Sequence, residues 1–203
     1  MICKLLTSLL ATTIFVATSS STFADPPQQQ EDSRQKESGK KKWTKLTDEW
    51  EVCSFGGDGE VTMDEGDITM DYGDPITGVR WEGDILRDNY EIELEGQRLD
   101  GFDFFCALTF PIAKDHVSLV LGGWGGGTVG ISNIDDRDAS DNDTTMFRDF
   151  KNETWYKVRV RVETDRIAVW VDDTLLFDHL RKDHTFDIRY EMDPCTPLSL
   201  IHI

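Results

Sequence analysis

Across residues 154–173 the sequence TWYKVRVRVETDRIAVWVDD changes character at nearly every position, and this period of two restricts the fold more than any other feature. Tyr156, Val158, Val160 and Val162 alternate with Lys157, Arg159 and Arg161; after the turn at residues 163–165, Ile167, Val169 and Val171 resume the rhythm. Successive side chains of an extended chain point to opposite faces, so the apolar residues share one face and the cations the other. A helix would scatter both sets around its axis. The segment therefore reads as an antiparallel hairpin with one face on a core, its other face offering Arg159, Arg161 and Trp170.

The same period recurs upstream. In YEIELE, Tyr90, Ile92 and Leu94 alternate with Glu91, Glu93 and Glu95, so three carboxylates share a face. Residues 101–111 put Phe102, Phe104, Cys106, Leu108 and Phe110 on one side, and Asp103, Phe105, Ala107 and Thr109 on the other. Asp103 is thus the polar start of a mostly apolar second face, where a carboxylate needs a partner or a chemical role. Residues 116–121 are β-branched and aliphatic, and they run into GGWGGG, a glycine loop that presents Trp124. Shorter β-rich runs occupy residues 50–55, 59–63, 67–72 and 78–81. Gly56-Gly57-Asp58-Gly59 and Asp64-Glu65-Gly66 are hairpin-type turns, since Gly and Asp accept the positive φ such turns require. Residues 175–177 and 186–192 read as further short strands, and helical periodicity is confined to one turn around Leu180. Roughly a dozen short strands without helices imply an all-β fold of two packed antiparallel sheets.

Residues 1–24 carry Lys4, an apolar run over 5–17 and a small-residue stretch ending Thr22-Phe23-Ala24, the pattern of a secretory signal peptide cut after Ala24. The run is shorter than the ~20 apolar residues a membrane-spanning helix needs, and no later segment is apolar enough. The expectation is export, secreted or periplasmic, with no membrane span. Residues 25–42, DPPQQQEDSRQKESGKKK, hold no apolar residue beyond prolines and have nothing to offset ordering entropy, which marks a disordered linker. One sandwich domain is expected over residues 43–203. The chain runs out at SLIHI, which looks like a translated sequencing-adapter tail, so an incomplete C-terminus is expected.

The formal charge is −18; removing residues 1–24, which hold Lys4 and no acid, takes 21 basic groups to 20 against 39 acidic, or −19. Such a surface repels nucleic acid and anionic lipid and is compatible with neutral glycans or bound cations. Of the cysteines left after leader removal, Cys53, Cys106 and Cys195, at most one pair forms a disulfide. Cys106, sharing a face with Phe104 and Leu108, reads as a small buried apolar residue. Which pair forms is open, and no oligomeric state is assigned.

Gly125, Gly127 and Gly130 match G-x-G-x-x-G, but that fingerprint needs a helix on the pyrophosphate, whereas Thr128, Val129 and Ile131 continue as strand. Asp135, Asp136, Asp138, Asp141 and Asp143 crowd one loop. Calcium prefers such hard oxygen ligands, so Asp136, Asp138 and Asp141 are candidate ligands for Ca2+, the alternative being a solvated acidic loop.

YEIELE, then GFDFFCALTFP, then SLVLGGWGG, then WYKVRVRVETDRIAVWVDD together resemble the laminin-G-like, concanavalin A-like jelly rolls, and among them the 3-keto-disaccharide hydrolase family. The likeness spans roughly residues 50–197 and implies a jelly-roll sandwich with a sugar-binding concave face and cleavage of glycosidic bonds in oxidised sugars. Glu91 to Glu95 also resembles the E-x-D-x-E strand of laminarinase-type glycosidases, with Glu in place of the central Asp. The function expected is that of an exported carbohydrate-active domain leaning towards hydrolysis, the alternative a non-catalytic glycan-binding or adhesion module of laminin-G type. In a sandwich the broad surface free for a ligand is the outer face of a sheet bordered by end loops. Glu93 and Asp103 are therefore the acid/base candidates. Arg80, Glu91 and His116 are the hydrogen-bonding candidates, and Trp124 is the stacking platform.

Overall fold

Among the described residues, side-chain alternation is realised as fourteen strands in two antiparallel sheets. The computed structural model describes residues 2–4 and 43–202. The strands of the first half are β1 (Ile2–Lys4), β2 (Trp50–Val52), β3 (Val61–Asp64), β4 (Asp67–Met70), β5 (Thr77–Trp81) and β6 (Tyr90–Gln97). The central meander is β7 (Cys106–Ile112), β8 (Asp115–Gly122), β9 (Thr128–Ser132) and β10 (Met146–Phe147). The last strands are β11 (Tyr156–Val162), β12 (Arg166–Val171), β13 (Thr174–Leu180) and β14 (Ser199–His202). Sheet I runs β13-β12-β11-β6-β1-β4-β3 and sheet II runs β10-β9-β8-β7-β14-β5-β2, so the chain crosses repeatedly between sheets as a jelly roll does.

The core is the contact between the two inner faces. Ile92 and Leu94 of β6 and Val158, Val160 and Val162 of β11 meet Leu108 and Phe110 of β7 and Leu119 and Leu121 of β8, all fully buried. Each such side chain taken from water contributes about 1.5–3 kcal/mol. The Tyr90 hydroxyl donates to the Pro111 carbonyl and so links sheet I to sheet II; burial, chiefly, pushes its pKa well above the usual value and keeps the donor proton in place.

Several local expectations change in the tertiary setting. The alternation of residues 101–111 is broken where Phe104 adopts a positive φ of 34°. Phe105 turns into the core, stacked on Phe150 at 4.6 Å between ring centres and edge-on to Tyr156, while Phe104 faces outward. Residues 56–59 form a crossover from sheet II to sheet I, not a hairpin; Asp58 accepts from the Phe55 and Gly56 amides there. Residues 64–66 do close the β3–β4 hairpin, with Glu65 and Gly66 both at positive φ. Around Leu180 the chain is strand β13, paired along β12, rather than a helical turn. The stretch 186–192 makes only an isolated bridge at Phe186, and Tyr190–Cys195 is a 3-10 turn. Its Asp193-Pro194 step explains this, since proline removes the amide a ladder needs.

Ser199–His202 forms a strand between β5 and β7. The expected leader and linker lie outside the described residues except for Ile2–Lys4, which pairs with both β4 and β6. Removal of the leader would leave that strand position between β4 and β6 open.

Candidate functional site

The outer face of sheet II is built from the residues that alternate with the core set. Ala107 of β7, Ser118 and Val120 of β8, Ser132 of β9 and Ile201 of β14 point away from the core, and all but Val120 and Ile201 are small or polar. A second apolar cluster forms on this face: Met192 and Cys195 of the 3-10 turn pack on Cys53, Ile76, Ala107 and Ile201, with Phe55, Phe104 and Ile188 at its margin. The turn is tied down by the Cys53–Cys195 disulfide, with Cα atoms 5.9 Å apart, and by Arg80, which donates to the Pro194 carbonyl at 3.1 Å. What the turn leaves uncovered is a cleft of about 350 Å³ lined by Asp103, Phe104, Ser118, Trp124, Ser132, Arg189 and Glu191.

Two glycine-bearing loops shape its rim. Trp124 and Gly125 have φ of 49° and 91°, which turns the chain sharply and leaves the indole 44% exposed, with its ring 6.2 Å from that of Phe104. Gly126 is required for close approach, since a Cβ there would lie 2.0 Å from the Phe102 carbonyl oxygen. Asp103 joins the loops. Its Oδ1 accepts from the Phe104 amide at 2.8 Å and the Gly125 amide at 3.1 Å, and Oδ2 accepts no hydrogen bond among the described residues. Behind it lies Arg98, only 5% exposed, which donates to Asn152 and the Phe150 carbonyl at 2.6 Å each. Burial lowers the Arg98 pKa, and the charge of Asp103 is the largest effect opposing that. Glu191 enters from the 3-10 turn; its Oε2 is buried without a hydrogen bond among the described residues, with Arg189 Nε 3.6 Å away.

Of the residues singled out in the sequence, Asp103 and Trp124 meet in this cleft, and the others do not line it. Glu91 and Glu93 belong to the outer face of sheet I, with the whole core between them and Asp103. Glu91 is 3% exposed, not solvated, and accepts from Arg161 Nε at 2.5 Å; Glu93 pairs with Lys157 at 2.7 Å. Arg159 and Arg161 cover the Trp170 ring at 4.2 and 5.1 Å, so this face is a laced structural surface. Arg80 is occupied by Glu82, Glu51 and the Pro194 carbonyl. His116 lies 3.1 Å from Arg87, and its pKa is lowered first by burial and then by that guanidinium.

The Asp-rich loop meets its charge repulsion with protein donors. Asp138 accepts from the Ser140 hydroxyl at 2.7 Å and lies 3.6 Å from Arg189, while the Asn142 side chain donates to the carbonyls of Ile131, Arg137 and Asp138. Asp136, Asp138 and Asp141 do not converge as a ligand set, and among the described residues no group of three His, Cys, Asp or Glu does. Asp135 is held by the Thr185 amide, first, and by the His184 ring at 2.7 Å, which pull its carboxyl down to about 2. A carboxyl depressed in the folded state stabilises above its unfolded value and loses that contribution as pH falls through the folded one. Asp135→Asn is therefore expected to melt lower than the native chain at neutral pH. The gap should close between about pH 4 and pH 2, and melting curves across that range with a constant gap would refute the assignment.

Glu191, Arg189 and Phe104 were not legible beforehand. Glu191 lay in a stretch read as strand, and Asp193-Pro194 was the one local sign of a turn that would bring it over the sheet.

Fold and cleft together define an all-β, two-sheet sandwich with an acidic, aromatic-rimmed cleft on one outer face. Neither a family model nor a curated protein matches the chain. Solved structures similar to it include the apo Crh5 transglycosylase, 16% identical over 76% of this chain with a TM-score of 0.49, and the Crh5 transglycosylase in complex with NAG, 15% identical over 75% with a TM-score of 0.48. The chain spans 62% of the length of each. Among the described residues no helix is long and apolar enough to cross a membrane.

Proposed function

We propose that this is an exported carbohydrate-active domain that binds glycan in the cleft of sheet II and cleaves a glycosidic bond there. The observation that carries the reading is the meeting of two carboxyl groups, Asp103 and Glu191, with the Trp124 and Phe104 rings in one cleft. A sugar needs apolar cover for its ring face and partners for its hydroxyl edges, and such a cleft offers both. Glycosidic cleavage needs one carboxyl to protonate the leaving oxygen and a second to activate water or attack the anomeric carbon. In this reading Glu191 and Asp103 share the acid and base or nucleophile roles, Asp103 oriented by two backbone amides and Glu191 carried by the 3-10 turn with Arg189 3.6 Å from its Oε2. The 3-keto-disaccharide hydrolase resemblance makes 3-keto-glycosides the first substrates to try. The Cys53–Cys195 disulfide supports export, because such bonds persist in oxidising compartments.

A non-catalytic glycan-binding module is the second reading. In its favour, the 3-10 turn packs over part of the sheet face and narrows the cleft. Titration and turnover on a glycan panel that includes 3-keto-glycosides separate the two: turnover supports hydrolysis, and saturable binding without turnover supports the module. Trp124→Ala tests the cleft itself. With the indole 44% exposed, the substitution is expected to weaken binding about tenfold or more while shifting the melting temperature little. A large loss of stability with unchanged affinity in the folded fraction would move the site elsewhere.

A further inference from the structure

We propose that a second ring-binding subsite adjoins the first cleft at Asp103, rimmed by Tyr72 and Phe102, and that it takes the neighbouring residue of a non-anionic oligosaccharide; this rests on the glycan reading of the first cleft. The hollow measures about 460 Å³, within the roughly 300–1,000 Å³ of small-molecule sites. Two segments distant in sequence build it. The connection after β4 supplies Asp71 and Tyr72, and the connection after β6 supplies Leu99, Asp100 and Phe102. Tyr72 is 68% exposed and Phe102 74%, so two aromatic rings stand in water around one concavity. Isolated exposed apolar residues are ordinary, whereas large ones gathered at a hollow mark a binding surface.

Two features join this hollow to the first cleft. Asp103 lines both. The Phe102 carbonyl packs on Gly126, and the Gly125 amide donates to Asp103, so the loops that carry Phe102 and Trp124 are clamped together. A glycan ring stacked at Trp124 thus has its neighbour within a site already ordered, and the second contact is made at high effective concentration.

Charge selects the ring. Asp71, Asp100 and Asp103 line the hollow and, among the described residues, no Lys or Arg does, so a uronate or sulfated ring would meet like charge, while hydroxyl or ammonium groups would find acceptors. Its floor includes His202, 7% exposed, whose Nδ1 is buried without a hydrogen bond among the described residues.

The test is calorimetric titration of the full chain with gluco-oligosaccharides of one to six rings and with oligogalacturonates. Affinity is expected to rise at least about tenfold from one ring to the longer neutral ligands, and the uronates are expected not to bind. Tyr72→Ala and Phe102→Ala should erase the gain with length and leave the single-ring affinity as it was. Phe102→Leu, which keeps apolar bulk without the ring, should behave like Phe102→Ala. A gain that persists in all three variants, or an affinity flat with length while short ligands still depend on Trp124, overturns the subsite and leaves the first cleft standing. Absence of binding by the native chain at every length overturns both.

Discussion

Glu191→Gln and Asp103→Asn are each expected to lower turnover by about 10²–10⁴-fold, the range over which a positioned acid or base contributes to a chemical step. Both changes keep side-chain shape and remove the ionisable oxygen. Asparagine at 103 retains an acceptor for the Phe104 and Gly125 amides, so the loop that carries Trp124 stays in place and the effect falls on chemistry rather than on binding. Glutamine at 191 remains on a turn held by the disulfide and by Arg80. The expected pattern is a loss in kcat with KM little changed, which separates a group acting in the transition state from one that merely binds substrate. Glu93→Gln serves as the control, because its carboxylate pairs with Lys157 on the outer face of sheet I, away from the cleft on sheet II. Full turnover in either cleft variant, or an equal loss in Glu93→Gln, would remove the assignment.

Opening the Cys53–Cys195 bond is the second large effect. The bridge spans 142 positions, and the loss of unfolded-chain entropy on closing a loop of that length is worth about 5 kcal/mol in the chain-entropy model, with about 2–4 kcal/mol the usual yield. For a domain of this size each kcal/mol moves the melting temperature by roughly 2–4 °C, so a fall of roughly 5–15 °C is expected in the Cys53→Ala, Cys195→Ala double variant or under reductant. The loss should also be local. Met192 and Cys195 hold the 3-10 turn in the second apolar cluster, so amide exchange should rise first at residues 186–197 and only later along β11 and β12. Cys106 does not complicate the experiment, since burial pushes its thiol up to about 12 and leaves it protonated and enclosed. Equal melting with the bond closed and open would show that the turn is held by packing alone.

The position of the cleft explains why some of the site could be read from the chain and some could not. Trp124 lies among glycines, and a bulky ring in a segment that must turn sharply is presented at the surface whatever the neighbouring strands do. Asp103 stood out because it interrupts an apolar face at the start of a strand, and a carboxylate there must find donors; it found the amides of its own loop and of the Trp124 turn. Glu91 and Glu93 carried an equally regular pattern and came to nothing catalytic. Period-2 alternation identifies outward-facing residues, but a sandwich has two outer faces, and no local rule says which of them will hold a cleft. Lys157 and Arg161 of β11 lay opposite β6 and took both carboxylates.

Sequence alone determined the two-sheet antiparallel architecture, because the two-residue period is a property of the extended backbone and the apolar set it generates can be hidden only against a second sheet. It also determined the identity of the Trp124 rim, since glycine's access to positive φ is intrinsic to the residue. Tertiary structure decided which carboxyl meets Asp103, which two cysteines join, and how the Asp-rich loop is relieved. Glu191 reaches the cleft because Met192 and Cys195 bury themselves against Ile76, Ala107 and Ile201, and Asp138 is met by Arg189 from the same turn. These are contacts between segments far apart in the chain, and they depend on loop closure and on the fit of surfaces that exist only once both sheets have formed.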